Sequence, residues 1–294
     1  MRYQFIQFHQ EQFSLAALCR VLAVSRGGYY AWKKRPPSAR QQENEHLTQQ
    51  IQVLFEENRR LYGSPRLWKE LHALQIPCSE KRVARLMRLS HLQAVAKRRF
   101  VTTTDSDHDL PIAENVLDRQ FEAPVPNTRW TTDITYVWTR ESWLYLAVVL
   151  DLFSRRIVGW SMGTTLERSL VLSALDMALQ KRSPSAGLLC HSDRGSQYAS
   201  GDYRQRLKAS GIVCSMSRKG NCWDNAPTES FFASFKKELV YRSKFATHAD
   251  AKVAIFDWIE VFYNRKRRHS SLGYVSPEVF ESQYQQHLTK AMAA

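Results

Sequence analysis

The spacing of apolar residues changes character once along the chain. Over the first hundred positions it is helical. Leu15, Leu18, Cys19 and Leu22 fall at i, i+3, i+4 and i+7. Ala23-Val24 then turns the chain, and Ser25 suits the N-cap of a second short helix that carries Tyr29, Tyr30 and Trp32. Pro36-Pro37 stops it. Residues 44–60 form a clearer amphipathic helix with Leu47, Ile51, Leu54 and Phe55 on one face. Gly63-Ser64-Pro65 breaks it and caps the next helix, where Leu67, Leu71 and Leu74 align. Pro77-Cys78-Ser79 breaks and caps again. The helix that follows turns Val83, Leu86 and Met87 inward and Lys81, Arg82, Arg85 and Arg88 outward. Residues 101–126, rich in Thr, Asp and Pro, predict an irregular linker that buries little.

From Trp130 onward the pattern is that of strands. Residues 130–138 alternate and are rich in β-branched and aromatic side chains. Residues 142–151 form a nearly continuous apolar run, as expected of a buried central strand. Residues 156–162 make a third strand, reached through a hairpin at Ser154-Arg155. A helix follows over 167–182, with Leu170, Val171, Ala174, Leu175 and Ala178 inward. Then come a strand at 187–193, a helix near 202–210, a short strand at 212–216, and a helix entered through Pro227. The final amphipathic helix, residues 251–264, is expected to bury Val253, Phe256, Ile259 and Phe262, and runs into the basic Arg265–His269. Three meandering strands followed by alternating helices and strands is the order of a ribonuclease H-like fold. The expected class is therefore α/β, a mixed five-stranded sheet with helices, preceded by an all-α helix-turn-helix region. The expected units are a helix-turn-helix segment (1–40), a helical DNA-binding domain (41–100), a linker (101–126), the catalytic core (127–240), and a C-terminal helix with a basic tail (241–294).

Charge adds a partner to this outline. Residues 1–100 carry 18 Lys and Arg against 7 acids, residues 101–240 carry 16 of each, and residues 241–294 carry 8 against 5. A basic front and tail around a neutral middle, combined with helix-turn-helix spacing, point to nucleic acid bound at the ends. The third helix of the 41–100 unit, with Lys81, Arg82, Arg85 and Arg88, would enter the major groove; the alternative is a solvated basic face. Five scattered cysteines without a Cys-x-x-Cys pair argue against a disulfide framework or a zinc knuckle. Cys190-His191 reads as core at a strand end rather than half of a metal site. No apolar run reaches the roughly 18 residues of a membrane helix, and the first residues lack a signal peptide's pattern, so a cytoplasmic location is expected.

The candidate chemistry lies in three acids. Asp133 is in mid-strand, Asp193 ends a strand, and Glu229 is in the first turn of a helix. A mid-strand acid is costly to bury unless something positive meets it. No Lys or Arg lies beside Asp133 in sequence, and a hard cation such as Mg²⁺ or Mn²⁺ would serve. Three carboxylates can hold two such ions about 3.5–4 Å apart, as an in-line phosphoryl displacement needs. Each acid also has a plainer explanation: a strand bulge for Asp133, an Asx turn for Asp193, a capping acid for Glu229. Lys236 lies seven residues after Glu229 and returns to within about 20° of it on the helix, so the two share a face. Asn221, Trp223 and Asn225 form a polar and aromatic loop that either touches DNA or packs on Trp223. His191 reads as a structural neighbour of Asp193 rather than a base.

Thirty-five residues separate Asp193 from Glu229, and a lysine follows seven later. This resembles the acidic signature of the retroviral integrase and insertion-sequence transposase superfamily. The segments His191-Ser-Asp-Arg-Gly-Ser-Gln-Tyr198, Gly220-Asn-Cys-Trp-Asp-Asn-Ala-Pro-Thr-Glu-Ser-Phe-Phe232 and Tyr263-Asn264, with Arg268 to Tyr274 and Ser276-Pro277, are similar to the second-reading-frame (OrfB) transposases of the insertion-sequence-three family. The resemblance spans nearly the whole chain. It implies a strand transferase dependent on Mg²⁺ or Mn²⁺, two ions per site, with Asp133, Asp193 and Glu229 as catalytic ligands. Lys236 would touch a DNA phosphate near the site, the alternative being a surface lysine; Asn221 and Asn225 would touch DNA from their loop; and Arg265 to His269, Arg268 included, would grip DNA, the alternative being a solvated helix end. The expected partners are the terminal inverted repeats and target DNA, further copies of the chain on DNA, and a first-reading-frame (OrfA) protein or a frameshift fusion to it. Two other readings are a DNA-binding regulator with an inert core, which should have lost an acid of the trio, and a ribonuclease H-type nuclease.

Overall fold

The computed structural model describes residues 1–94, 111–218 and 222–292. Three short helices open the chain: α1 (Arg2–His9), α2 (Leu15–Val21) and α3 (Arg26–Lys34). Ser14 caps α2 by accepting from the Ala17 amide, and Ser25 caps α3 by accepting from that of Gly28. Helix α1 escaped the sequence reading because it buries only Ile6 and so leaves no apolar period to read. The three helices share a small core of Ile6, Leu18, Cys19 and Tyr29. Helix α4 (Ala39–Glu57) starts earlier than its apolar spacing predicts, because Ser38 caps it. Helices α5 (Ser64–Ala73) and α6 (Glu80–Leu89) close a three-helix unit over Leu47, Ile51, Leu67, Leu71, Val83 and Leu86. The breaks fall where Gly63 and Ser79 predict them.

Residues 111–128 are irregular yet packed, which corrects the expectation that the linker buries little. Leu117 is buried, and the amides of Val116 and Leu117 donate to the Ser215 hydroxyl. The part of the linker before residue 111 and the basic Lys97-Arg98-Arg99 lie outside the described residues.

The sheet contains β1 (Arg129–Trp138), β2 (Trp143–Asp151), β3 (Ile157–Gly163), β4 (Leu189–Ser192) and β5 (Val213–Met216), in the order β3-β2-β1-β4-β5. The first three form an antiparallel meander. β4 runs parallel to β1, and β5 runs parallel to β4. Helix α7 (Arg168–Arg182) lies so close to β3 that a Cβ on Gly159 would meet the Ala174 carbonyl oxygen at 2.2 Å, so this contact requires glycine. Helices α8 (Ser196–Ala199) and α9 (Gly201–Ala209) complete the α7 side of the sheet. This is the expected α/β class, a mixed five-stranded sheet behind an all-helical front.

The other face carries α10 (Ala226–Glu238), α11 (His248–Phe256), a π-helical turn over Asp257–Tyr263, and beyond them α12 (Pro277–Met292). Phe231, Phe232 and Phe235 of α10 are buried, Phe231 against Trp258 and Tyr263, Phe235 against Trp258 and Phe232 against Phe231. Each contributes on the order of 2–3 kcal/mol by leaving water. The predicted inward face of the last amphipathic stretch is corrected here. Ile259 and Phe262 are buried as expected, but Val253 and Phe256 are exposed, and the buried face runs through Ala251, Ile255, Trp258 and Phe262. The i+3 spacing read from the sequence drifts off this i, i+4, i+7 and i+11 face, and the π-helical turn at Asp257 lies along it. Among the described residues no helix is long and apolar enough to cross a membrane.

Candidate active site

Strand register brings the two aspartates together. In the parallel β1–β4 pair, Thr131 stands beside His191. Asp133 follows two residues later within β1, and Asp193 two residues later, just past the end of β4. Such strands lie about 4.8 Å apart, so both carboxylates emerge at the same end of the sheet. Asp133 is half-buried, and its Oδ1 accepts from the Ile134 amide at 2.7 Å. Asp193 caps its own turn through Oδ1, which accepts from Gly195 N at 2.9 Å.

Glu229 arrives on α10, whose first turn is stitched to β1. The Asn225 amide nitrogen donates to the Thr132 carbonyl at 3.3 Å. The Thr228 hydroxyl bonds that of Thr131 at 2.7 Å and the Asn225 Oδ1 at 3.0 Å. These contacts hold the start of the helix next to the two residues that precede Asp133. They also correct the expectation that Asn225 touches DNA, for it is buried in this stitch.

The electrostatics are those of crowded negative charge. Burial pushes the Asp133 carboxyl well above the usual range, and Asp193 and then Glu229 push it further. Its own amide bond and Lys236 oppose the shift without cancelling it. Burial likewise raises Glu229. It lowers the Lys236 ammonium, against the pull of Asp133. At both ends of the Asp133–Lys236 pair, desolvation outweighs attraction. The lysine lies 5.2 Å from the centre of the Tyr136 ring, a cation–π contact at the edge of the site. Carboxylate oxygens are hard donors, and the repulsion among them is what a hard divalent cation would neutralise. In donor chemistry the trio fits such an ion. Among the described residues, no three Asp, Glu, His or Cys side chains are gathered tightly enough to hold an ion by themselves.

Two neighbours shape the site without belonging to the trio. His191 is buried between the Ser215 and Ser217 hydroxyls, at 2.8 and 3.1 Å, and burial lowers its pKa to about 4. It is neutral at pH 7 and structural, as expected. Asp224 was missed by the sequence reading. It is fully buried, and its carboxylate accepts from Asn115, Arg119, and both the amide and the side chain of Arg218. The Arg218 bonds hold its carboxyl far below the usual range. It therefore fastens the short turn that leads into α10. The signal was present in Asp224 itself, an acid beside Trp223 with Arg218 six positions earlier.

The expected DNA contacts divide into two groups. Lys81, Arg85 and Arg88 are exposed on α6. Arg82 is not, since it bonds Asn44 at 2.9 Å and Glu43 at 3.1 Å and ties α6 to α4. Arg268 is also redirected. Its guanidinium pairs with Glu70 at 2.6 and 2.9 Å and donates to the Tyr274 carbonyl, which locks the helical unit to the C-terminal segment. Both are corrections with one cause, a carboxylate brought within reach by the fold. Asn221 lies outside the described residues. Trp223 is 66% exposed beside the site.

Comparison with known proteins agrees with this layout. Residues 41–100 match the family model of an HTH-like domain, and residues 123–222 and 210–277 match two models of the integrase core domain. The transposase InsF for insertion sequence IS3A of Escherichia coli (strain K12) is 44% identical over 284 residues, 96% of this chain and 99% of that protein. A 31 kDa protein of insertion element IS600 from Shigella sonnei is 45% identical over 269 residues, 92% of this chain and 99% of its own length. Among solved structures, similarity extends to a simian T-cell lymphotropic virus intasome bound to a PP2A regulatory subunit, at 15% identity and a TM-score of 0.46, covering 79% of this chain and 74% of that one. The HTLV-2 integrase catalytic core in complex with magnesium is 16% identical with a TM-score of 0.42, covering 54% of this chain and 99% of that one.

Proposed function

The chain belongs to the family of insertion-sequence IS3 transposases, and from that premise we propose that Asp133, Asp193 and Glu229 carry out its metal-dependent DNA strand cleavage and strand transfer. The observation that supports this most directly is the β1–β4 register, in which Thr131 pairs with His191 two residues before each aspartate, together with the stitch that ties the first turn of α10 to β1. The trio would hold Mg²⁺ or Mn²⁺, two ions per site. When bound, these ions supply Lewis-acid stabilisation of the attacking and leaving oxygens in an in-line displacement. Water attacks the phosphodiester phosphorus at the element's end, the 3′-oxygen leaves with the electron pair, and the nucleophile's proton passes to solvent. The freed 3′-hydroxyl then attacks a phosphodiester of a second strand in the same way. Lys236, held on the Glu229 face of α10 and half-desolvated, grips a non-bridging phosphate oxygen of the reacting strand. Asn225 and Thr228 position Glu229.

The helical front presents Lys81, Arg85 and Arg88 to the major groove of the element's terminal repeats. Further copies of the chain assemble on the DNA, and a first-reading-frame (OrfA) protein supplies additional recognition. The test uses purified full chain, oligonucleotides carrying the terminal repeats, and Mg²⁺ or Mn²⁺. Asp133→Asn, Asp193→Asn and Glu229→Gln should each abolish nicking and joining while leaving gel-shift affinity in place. Wild-type turnover in any one of them removes that residue from the site.

A further inference from the structure

A second feature adjoins the candidate active site on α10, with Lys236 at the border of the two. A cleft of about 770 Å³ opens between the start of α5, the β2–β3 turn, α10 and the segment after the π-helical turn. Five cations line it, Arg66, Arg155, Lys236, Lys237 and Arg267, against one carboxylate, Glu238, which Arg267 already holds. Elsewhere in the fold, half-buried arginines are matched with acids: Arg182 with Glu281 and Asp151, Arg268 with Glu70. Arg66 and Arg155 are different. Among the described residues neither forms an ion pair. The Arg66 guanidinium lies 5.3 Å from the centre of the Tyr62 ring, and that of Arg155 reaches the Phe121 carbonyl at 3.3 Å. Burial lowers the pKa of both and Arg267 adds to the effect at Arg66, while Glu238 at Arg66 and Asp151 and Glu122 at Arg155 oppose it from outside ion-pair distance without cancelling it. His269 on the same wall senses this field: burial, then Arg267, Arg66 and Arg155, push its pKa down to about 2. A partly desolvated guanidinium without a carboxylate is costly, and several converging on one cleft favour a multiply charged anion. The planar fork of arginine matches the oxygens of a phosphate.

We propose that this cleft binds a phosphoryl group, with Arg66 and Arg155 as its two principal ligands and Lys237 beside them. The group is either a backbone phosphate of DNA or that of a small free phosphate compound. The site uses none of the three acids, so its binding persists without divalent metal. The experiment is calorimetric titration of the full chain in EDTA, with inorganic pyrophosphate and, separately, with a short DNA duplex of arbitrary sequence. Arg66→Gln and Arg155→Gln should each weaken binding about tenfold, the loss of one charge-assisted hydrogen-bonding group. A loss seen only with the duplex assigns the cleft to DNA backbone. A loss seen only with pyrophosphate assigns it to a free phosphate compound. Absence of wild-type binding to both ligands overturns the proposal, as does wild-type affinity in a folded double variant. Should the Gln variants fail to fold, Arg66→Lys and Arg155→Lys keep the charge but lose the fork. Weaker binding at an unchanged melting temperature supports the site, and unchanged affinity for both ligands refutes it.

Discussion

The placement of α10 is tested most sharply by its last residue. Glu238 and Arg267 are each 7% exposed. The guanidinium donates to Glu238 through Nε at 2.9 and 3.1 Å and through Nη2 at 2.7 Å, and Nη2 also reaches Ser234 at 3.1 Å. Glu238→Gln removes the charge and keeps the shape. Arg267 is then left buried with no carboxylate in contact and with Arg66 repelling it. Breaking a buried pair from one side costs about 3–5 kcal/mol, because the remaining charge stays desolvated. Removing both charges, as in Glu238→Gln with Arg267→Met, should cost less than Glu238→Gln alone. The assay is urea unfolding followed by tryptophan fluorescence, since Trp258 packs against Phe235 in the turn before Glu238. Glu229 lies nine residues back, about 14 Å along the helix axis. A loosened helix end displaces it, and strand transfer should fall by up to about 10²-fold for a shift near 1 Å. A cost under about 1 kcal/mol for Glu238→Gln, the range of exposed pairs, would show that the pair is hydrated and refute the reasoning.

The other predictions concern charge. Asp133 has a folded pKa above its unfolded value, so its carboxyl is neutral in both states below about pH 4 and penalises the folded state as pH rises from there through the folded pKa. In EDTA, Asp133→Asn should therefore melt above wild type at pH 7, with the gap closing toward pH 4; scanning calorimetry showing parallel pH profiles would contradict this. Lys236→Ala should lower kcat/KM for strand transfer about 10–100-fold, the loss of one charge-assisted phosphate contact, with single-turnover kinetics showing the deficit in the chemical step rather than in DNA binding. Lys81→Ala, Arg85→Ala and Arg88→Ala should each reduce the salt slope of DNA binding by about 1. Arg82→Ala should leave that slope unchanged and lower the melting temperature instead, because its partners are Asn44 and Glu43.

Much of the core was legible because its signals are local. Strand alternation, Ser25 and Ser79 as caps, and Pro227 at a helix start each depend on a few adjacent residues. The proposed acidic trio is read from its spacing and its resemblance to a known signature. Partnership across the chain was not legible. Arg82, Arg268 and Asn225 have the composition of DNA contacts, but Glu43, Glu70 and Thr132 meet them only after folding. Asp224 had one legible partner, Arg218, but its other donors, Asn115 and Arg119, come from a stretch that reads as linker. An isolated arginine on a helix face thus says little about its role until the acids of other elements are placed.

The site itself runs against stability, and the fold compensates locally. Asp193 and Glu229 raise the Asp133 carboxyl where burial already disfavours charge, and Lys236 offsets little of this. Nothing in that arrangement would hold α10 in place. The helix is fixed by other means: the Asn225–Thr228 stitch to β1 at its start, the Phe231, Phe232 and Phe235 faces along its length, and the Glu238–Arg267 pair at its end. The turn before it is fixed by Asp224, a carboxylate held by Arg119 and Arg218. Bonds and apolar burial therefore set the position of Glu229 before any cation arrives, so cation binding need not be spent on folding the site. Acids held in mutual repulsion by an independently anchored scaffold remain available to a hard cation and to the phosphate it brings.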